Sequence, residues 1–504
     1  MMLLIPRGAS PGSWRDTPRT TWTWLVRSML RVTAACCALG ALGALASVAV
    51  ATQDAQRPPN LVVIFTDDQG WGDIGCQGAK GFETPHLDAL AAQGVRCSNF
   101  YVAQAVCSAS RAALLTGCYS NRVGISGALG PSSKIGIADA ELTLAELNKQ
   151  AGHATAIFGK WHLGHHPQFL PMRHGFDEFY GIPYSNDMWP FHPVNPKAWG
   201  DLPTLEGHEV VGFNTDQNRF TGDFTSRAVD FIERHADEPF FLYLAHPMPH
   251  VPLHASEAHR GRSEQGLYGD VIQEIDASVG AVVAALERTG NTERTLVVYA
   301  SDNGPWLSYG NHAGSTGPLR EGKGTSFEGG VRVPCIWSWP GQLPAGRVCE
   351  TPLMTIDVLP TWAGRLGQAL GEAPVDGVDV WSTLRGDSVL PERPLFFYYA
   401  NNELQAMRRG RWKLHLPHSY RSMGQRAVGA DGQTGKYDYS WKTGLELYDL
   451  EADVGESNDL AKTHPRKVEE LLVDVFSMRA ELGDRLTGQP GPQRRPPGRV
   501  PTER

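Results

Sequence analysis

Four short, uninterrupted apolar runs punctuate the chain: Asn60–Thr66 (NLVVIFT), Ala154–Phe158 (ATAIF), Phe240–Leu244 (FFLYL) and Leu296–Ala300 (LVVYA). Each is rich in β-branched or aromatic residues and bounded by polar or turn-forming positions. Such runs read as strands buried on both faces, the kind found in parallel sheets covered by helices. Helical periodicity lies between them. Leu142–Ala151 has apolar residues at helical spacing, and in Asp270–Thr289 the residues Val271, Ile275, Val279, Val282, Val283 and Leu286 form one stripe. The alternation predicts an α/β fold with a large, mostly parallel central sheet flanked by helices, spanning residues 52–390. Near residue 390 the pattern changes. Leu395–Tyr399, Gln405–Leu416 and Leu445–Leu450 read as short antiparallel strands and Arg466–Leu482 as a helix, which predicts a smaller C-terminal α+β unit over 391–487. From Gly488 to Arg504 the chain is rich in Pro, Arg and Gly and is expected to be disordered.

The first 51 residues have another pattern. Arg27 and Arg31 precede an apolar, small-residue run from Val32 to Val50, and Ala49-Val50-Ala51 matches an A-x-A cleavage site. This reads as a secretory signal peptide, so the mature protein is expected in a periplasm or outside the cell. A single uncleaved membrane anchor is the alternative, because the run is nearly long enough to span. Cys36 and Cys37 leave with the signal. The other six cysteines contain no C-x-x-C pair, which excludes a zinc framework or a disulfide-dense scaffold. One or two bridges are compatible with export, with Cys335 and Cys349 a candidate pair. The formal net charge of −8, with both signs dispersed, gives no electrostatic case for nucleic acid.

In open α/β sheets, ligands gather beyond the carboxyl ends of the strands. The four buried runs lead into Asp67-Asp68, Lys160-Trp161-His162, His246 through His250, and Asp302-Asn303. Asp67, Asp68, Asp302 and Asn303 are hard oxygen donors from two strand ends. Three carboxylates packed together repel unless a cation joins them, and Ca2+ or Mg2+ prefers such ligands. Cys107 opens a helical run, CSASRAALLTG, with Ser108 expected near the N-cap and Gly117 as the stop. That places Cys107 at the positive end of a helix dipole and Arg111 one turn on, along the same side.

The string CSASRAALLTG resembles the type I sulfatase signature, with Ala109 where proline is commoner. The resemblance runs from Leu61 to about Leu460. It includes DDQGWG at 67–72, GKWHLG at 159–164, GFDEFYG at 175–181 and GTSFEGGVR at 324–332. Their order and spacing are similar to the arylsulfatase A and N-acetylgalactosamine-6-sulfatase branch. The resemblance implies an alkaline-phosphatase-like fold and a sulfuric ester hydrolase. It implies that a formylglycine-generating enzyme converts Cys107 to formylglycine (3-oxoalanine), which hydrates to a geminal diol. One Ca2+ would be held by Asp67, Asp68, the modified Cys107, Asp302 and Asn303. Arg111 and His162 would hold the diol. Lys160, His250 and Lys323 would grip the sulfate and the leaving oxygen, and Ser185 would be a further substrate contact. One hydroxyl of the diol would attack sulfur, Asp302 would accept a proton, and His250 would protonate the departing alcohol.

Two other readings remain open from sequence. One is a phosphate or phosphonate ester hydrolase of the same superfamily; the other is a non-catalytic sulfated-glycan binder. The substrate is expected to be a sulfated polysaccharide or a small aryl sulfate. The segment Asp187–Phe220, with Trp189, His192, Trp199 and Arg219, and the C-terminal unit are expected to wall the pocket. His165, His166, His246 and His254 are read as structural.

Overall fold

A computed structural model describes residues 57–399 and 401–501. The expected signal peptide, with Cys36 and Cys37, lies outside the described residues. Among those described, no helix is long and apolar enough to cross a membrane.

The elements that build the main body are, in chain order, β1 (Asn60–Thr66), α1 (Pro85–Gln93), β2 (Val95–Cys97), α2 (Cys107–Thr116), α3 (Leu144–Gln150), β3 (Ala154–Lys160), β4 (Glu178–Ile182), β5 (Pro203–Glu206), β6 (Glu209–Phe213), α4 (Phe220–Arg234), β7 (Phe240–Ala245), α5 (Leu267–Arg288), β8 (Thr295–Ser301), β9 (Cys335–Ser338) and β10 (Arg347–Cys349). Ten strands form one sheet in the order β10-β2-β9-β8-β1-β7-β3-β4-β5-β6. Its centre, β8-β1-β7-β3-β4, is parallel. The flanking β9 and the β5–β6 hairpin are antiparallel, so the sheet is mixed.

The four apolar runs are the four adjacent central strands. Each is continuous in sequence because both sheet faces are covered. Along β1, Leu61, Val63 and Phe65 enter one core with residues of α2 and α3. Val62 and Ile64 enter the other, with residues of α1, α4 and α5. Thr143 caps α3 in a capping box with Glu146, which ties the helix start to the sequence. The expected helix at 270–289 begins three residues earlier, at Leu267.

Three details depart from the sequence reading. The residue before α2 is Val106, in extended conformation and with no side-chain cap, so Cys107 itself is the first helical residue. Ser108 is no cap; its hydroxyl accepts from the Leu129 N–H at 2.9 Å. The cysteine pair Cys335–Cys349 is also excluded. β2 lies between β9 and β10 and places Cys97 opposite Cys349, so the candidates are two strand spacings apart. Two spacings are roughly 10 Å, beyond the Cα separation a disulfide spans. All six described cysteines are free. Finally, the described part of the stretch expected to be disordered, residues 488–501, is ordered by specific contacts. Gly498 and Arg499 pair antiparallel with Gly136 and Ile135, and Arg495 bridges Glu141 at 2.7 Å.

The C-terminal unit is a four-stranded antiparallel sheet of β11 (Leu395–Tyr399), β12 (Glu403–Arg409), β13 (Trp412–His415) and β16 (Glu446–Asp449). A separate hairpin, β14 (His418–Ser422) with β15 (Asp438–Thr443), and the helix α6 (Pro465–Leu482) complete it. The segment 405–416, expected to hold short antiparallel strand, divides between β12 and β13 with the turn at Gly410. From β13, Lys413 reaches Glu328 at 2.9 Å and Glu456 at 3.0 Å, all fully buried. This links the small sheet to the short helix Glu328–Val331, which follows the loop that carries Lys323.

Candidate active site

Because β8, β1, β7 and β3 are neighbours and parallel, their carboxyl ends release Asp302-Asn303, Asp67-Asp68, the His246–His250 turn and Lys160-Trp161-His162 along one edge. The start of α2 points Cys107 into this row. Two non-glycine residues there have positive φ, Asp68 at 64° and His162 at 62°. Such conformations are uncommon outside glycine and concentrate where a side chain must be aimed.

The side chains converge on Cys107. Its Sγ lies 3.4 Å from Asp67 Oδ1 and 3.5 Å from Lys323 Nζ. One ligand atom each from Asp67, Asp68, Cys107 and His250 falls within a 4.8 Å group. Lys323 Nζ reaches Asp68 at 2.7 Å, and His250 Nε2 stands 3.6 Å from the same carboxylate. Lys160 pairs with Asp67 and donates to Ser185 Oγ at 3.0 Å. Arg111 contacts Asp302 at 2.9 Å and Asp67 at 3.1 Å, and donates to the Lys160 carbonyl at 3.2 Å. Asp302 Oδ1 accepts the Asp68 N–H at 3.1 Å, and Asn303 Nδ2 donates to Asp68 Oδ1 at 2.6 Å. His162 Nε2 donates to the Leu129 carbonyl at 2.9 Å, which leaves Nδ1 buried and without a partner. All eleven candidate residues are therefore in one buried cluster.

The electrostatics arise from burial and from this pairing. Burial opposes ionisation of Asp67, but Lys160, His250 and Arg111 outweigh it and hold the carboxyl well below the usual range. Asp302 is pushed up to about 7 by burial and by Asp67. Burial and the Asp67 charge push the Cys107 thiol well up, so it is a poor thiolate. Burial, then Lys323, lowers His250; burial, then Lys160, lowers His162 much further.

The expected pocket walls are more mixed. Trp189 packs edge-on against Phe191 at 5.2 Å and His254 at 5.8 Å, and Trp199 is half-buried. His192 Nδ1 accepts from the Val194 and Asn195 N–H groups, each at 3.1 Å. Arg219 is exposed and pairs with Asp223 at 3.4 Å. His246 is buried with Nε2 on Ser278 Oγ at 3.1 Å, as a structural histidine would be. Trp306 is a site residue that the sequence reading does not single out. Lys323 Nζ lies 4.7 Å over its ring and His250 packs edge-on at 5.7 Å. Its place just after Asp302-Asn303 is the signal that could have found it. Asp187, which opens the segment expected to wall the pocket, has its Oδ1 buried without a hydrogen-bond partner.

Comparisons with known proteins agree with this geometry. The sulfatase family model matches residues 59–368, and the model for the C-terminal region of aryl-sulfatase matches 391–493. N-acetylgalactosamine-6-sulfatase of Canis lupus familiaris is 40% identical over 393 residues, covering 74% of each chain. Arylsulfatase A of Homo sapiens is 38% identical over 433 residues, covering 80% of this chain and 83% of the relative. The crystal structure of Ps i-CgsB in complex with k-i-k-neocarrahexaose superimposes with a TM-score of 0.70 at 27% identity, covering 84% of this chain and 92% of that one. With both parts of the chain matched and the signature cysteine set at the edge of the parallel strands, this protein belongs to the sulfatase family and is a sulfuric ester hydrolase.

Proposed function

We propose that the chain hydrolyses sulfate esters on a sulfated carbohydrate, with Cys107 converted to formylglycine and one Ca2+ held beside it, after export from the cytoplasm. The observation that carries this reading is the position of Cys107 Sγ. It sits on the first turn of a buried helix, between a carboxylate at 3.4 Å and an ammonium at 3.5 Å.

The residues fit a hard cation. Asp67, Asp68 and Asp302 are adjacent carboxylates, and Asn303 adds a carbonyl oxygen that is buried with no hydrogen-bond partner. An orphaned buried acceptor beside three acids is what a calcium ligand looks like without its ion. These four residues and residue 107 would hold the cation, which when bound supplies positive charge to offset that of the sulfate. Formylglycine, once hydrated, supplies a pair of hydroxyls on one carbon, one to bond sulfur and one to release it.

The remaining work belongs to side chains already in place. Lys160 and Lys323 supply fixed positive charge for the sulfate oxygens in a water-poor site. Arg111 clamps Asp67 and Asp302, so neither carboxylate can swing away. His162, with Nε2–H committed to Leu129, presents Nδ1 as an acceptor for a hydroxyl at residue 107. His250 donates Nδ1–H to the Val251 carbonyl at 2.6 Å, so its Nε2 is the atom that takes a proton and returns it to the departing alcohol. Asp302 accepts a proton from the attacking side.

The competing reading is a phosphonate ester hydrolase. Initial rates on matched aryl sulfate and aryl phosphonate esters separate the two. The sulfate ester is expected to be turned over at least tenfold faster, and Cys107→Ala to abolish that rate. Faster phosphonate turnover, or activity that survives Cys107→Ala, overturns the proposal.

A further inference from the structure

Beside the catalytic cluster, on the C-terminal unit, lies a cavity of about 510 Å3 that none of the roles above uses. Gly324, Tyr399, Gln405, Arg421, Tyr439 and Arg485 contribute to its lining. Its lining joins the site through the backbone, because Gly324 directly follows Lys323 in the chain. Arg421 makes the connection. Its Nε and Nη2 both donate to the Lys323 carbonyl, and its guanidinium lies 5.7 Å from the Trp306 ring centroid, the ring that also carries the Lys323 ammonium.

The charges in this cavity do not balance. Arg485 is neutralised by Glu403. Arg421 has no carboxylate within 4.0 Å among the described residues; Glu321, held by the Ser422 hydroxyl, feels its charge only from further off, and the Tyr437 ring lies 4.5 Å away. A guanidinium held by a backbone carbonyl, stacked on aromatics and left with Nη1 unused is a preorganised donor for a carboxylate or sulfate. Tyr439, with 70% of its surface exposed, adds a flat face at the rim. Aromatic faces and a charged fork in one pocket match a pyranose ring bearing an anionic group.

We propose that this cavity binds an anionic sugar ring adjacent to the one whose sulfate is cleaved, so that the natural substrate is an oligo- or polysaccharide and not an isolated aryl sulfate. This rests on the sulfatase function proposed above and names its substrate class. The test uses the full-length modified enzyme and Tyr439→Ala. That residue is exposed and remote from the ion cluster, so the variant is expected to fold. The probes are 4-nitrocatechol sulfate and a chondroitin 6-sulfate tetrasaccharide, in which uronates flank the sulfated rings. Tyr439→Ala is expected to lower kcat/KM on the tetrasaccharide about tenfold and to leave the aryl sulfate within about twofold. Calorimetric titration of Cys107→Ala protein with the tetrasaccharide, with and without Tyr439→Ala, is expected to show the same loss in affinity. Equal effects on both substrates, or no effect on either, overturns the subsite. So does hydrolysis of the aryl sulfate by enzyme that neither binds nor cleaves the tetrasaccharide, and in that case the sulfatase reading stands. Absence of sulfate release from both probes instead defeats the underlying function.

Discussion

Replacing Asn303 with alanine separates a calcium ligand from a structural asparagine. Asn303 Nδ2 donates to Asp68 Oδ1 at 2.6 Å and to the Gly304 carbonyl at 2.9 Å, while Oδ1 has no partner. Losing a hydrogen bond to a charged group costs about 1.5–3 kcal/mol, and this falls on the protein with or without the ion. The Oδ1 contribution exists only when the cation is bound. If its loss weakens Ca2+ about 100-fold, stabilisation at a calcium concentration 1,000 times the wild-type Kd falls from about 4.1 to about 1.4 kcal/mol. Unfolding entropy of about 2.1 cal/mol/K per residue means a folded body of roughly 450 residues shifts about 1 °C per kcal/mol. Scanning calorimetry in EDTA and in excess Ca2+ should therefore show a Tm rise of about 4 °C for the wild type and about 1–2 °C for Asn303→Ala. Both should also start from different baselines, the variant lower. A variant that keeps the full calcium-induced rise refutes the assignment of Asn303 as a ligand.

The same geometry has other consequences. Lys323→Met should lower kcat by about 100- to 1,000-fold, as loss of a fixed charge aimed at the reacting group does, with folding checked by circular dichroism; a change under tenfold would remove Lys323 from the site. His250→Gln should slow esters of poorly acidic alcohols far more than activated aryl sulfates, because only the former need a proton on departure; equal slowing across a leaving-group series would contradict the general-acid role. The buried Lys413 cluster gives a pH effect on stability. Burial raises Glu456 to about 7, against the attraction of Lys413, whereas Lys413, Arg408 and Arg332 overcome burial and lower Glu328 to about 2. A carboxyl raised in the folded state binds more protons there, so stability falls as pH rises from about 4.5 to about 7, by at most about 3 kcal/mol. Glu328 acts oppositely, losing its stabilisation as pH falls from about 4.5 towards 2. Urea titrations between pH 5 and 8 should show a shallower decline in Glu456→Gln than in the wild type, the remainder belonging to Asp302 and Asp73, which burial also raises to about 7; a parallel slope in both would exclude Glu456 as a source.

The centre of this molecule is legible in its sequence for a physical reason. Strands buried on both faces must be apolar throughout, so NLVVIFT and its three counterparts stand out. If those strands are parallel, the residues just past their carboxyl ends must share one edge of the sheet. Asp67, Asp68, Lys160, His162, His250, Asp302 and Asn303 are reached that way. Lys323 lies on no such strand end, and Ser185 follows β4, a parallel strand whose mixed burial hides it from the apolar pattern; only resemblance to a family locates the two. Elements stabilised by distant partners are not visible locally. Gly498 and Arg499 are ordered by pairing with Gly136 and Ile135, and Arg495 by Glu141, none of which local composition encodes. The β5–β6 hairpin escapes because β6 is largely exposed and shows no buried-strand pattern. Ser108 reads as a cap by residue type, but the chain enters α2 one residue earlier and spends that hydroxyl on Leu129.

The central claim is the chemical identity of residue 107. Mass spectrometry of the peptide spanning Cys107, taken from enzyme produced alongside a formylglycine-generating enzyme and shown to release sulfate, tests it directly. The expected peptide is lighter than the unmodified one by a sulfur-for-oxygen exchange and two hydrogens, with an aldehyde that reacts with a hydrazide. An active preparation in which residue 107 is uniformly cysteine contradicts it.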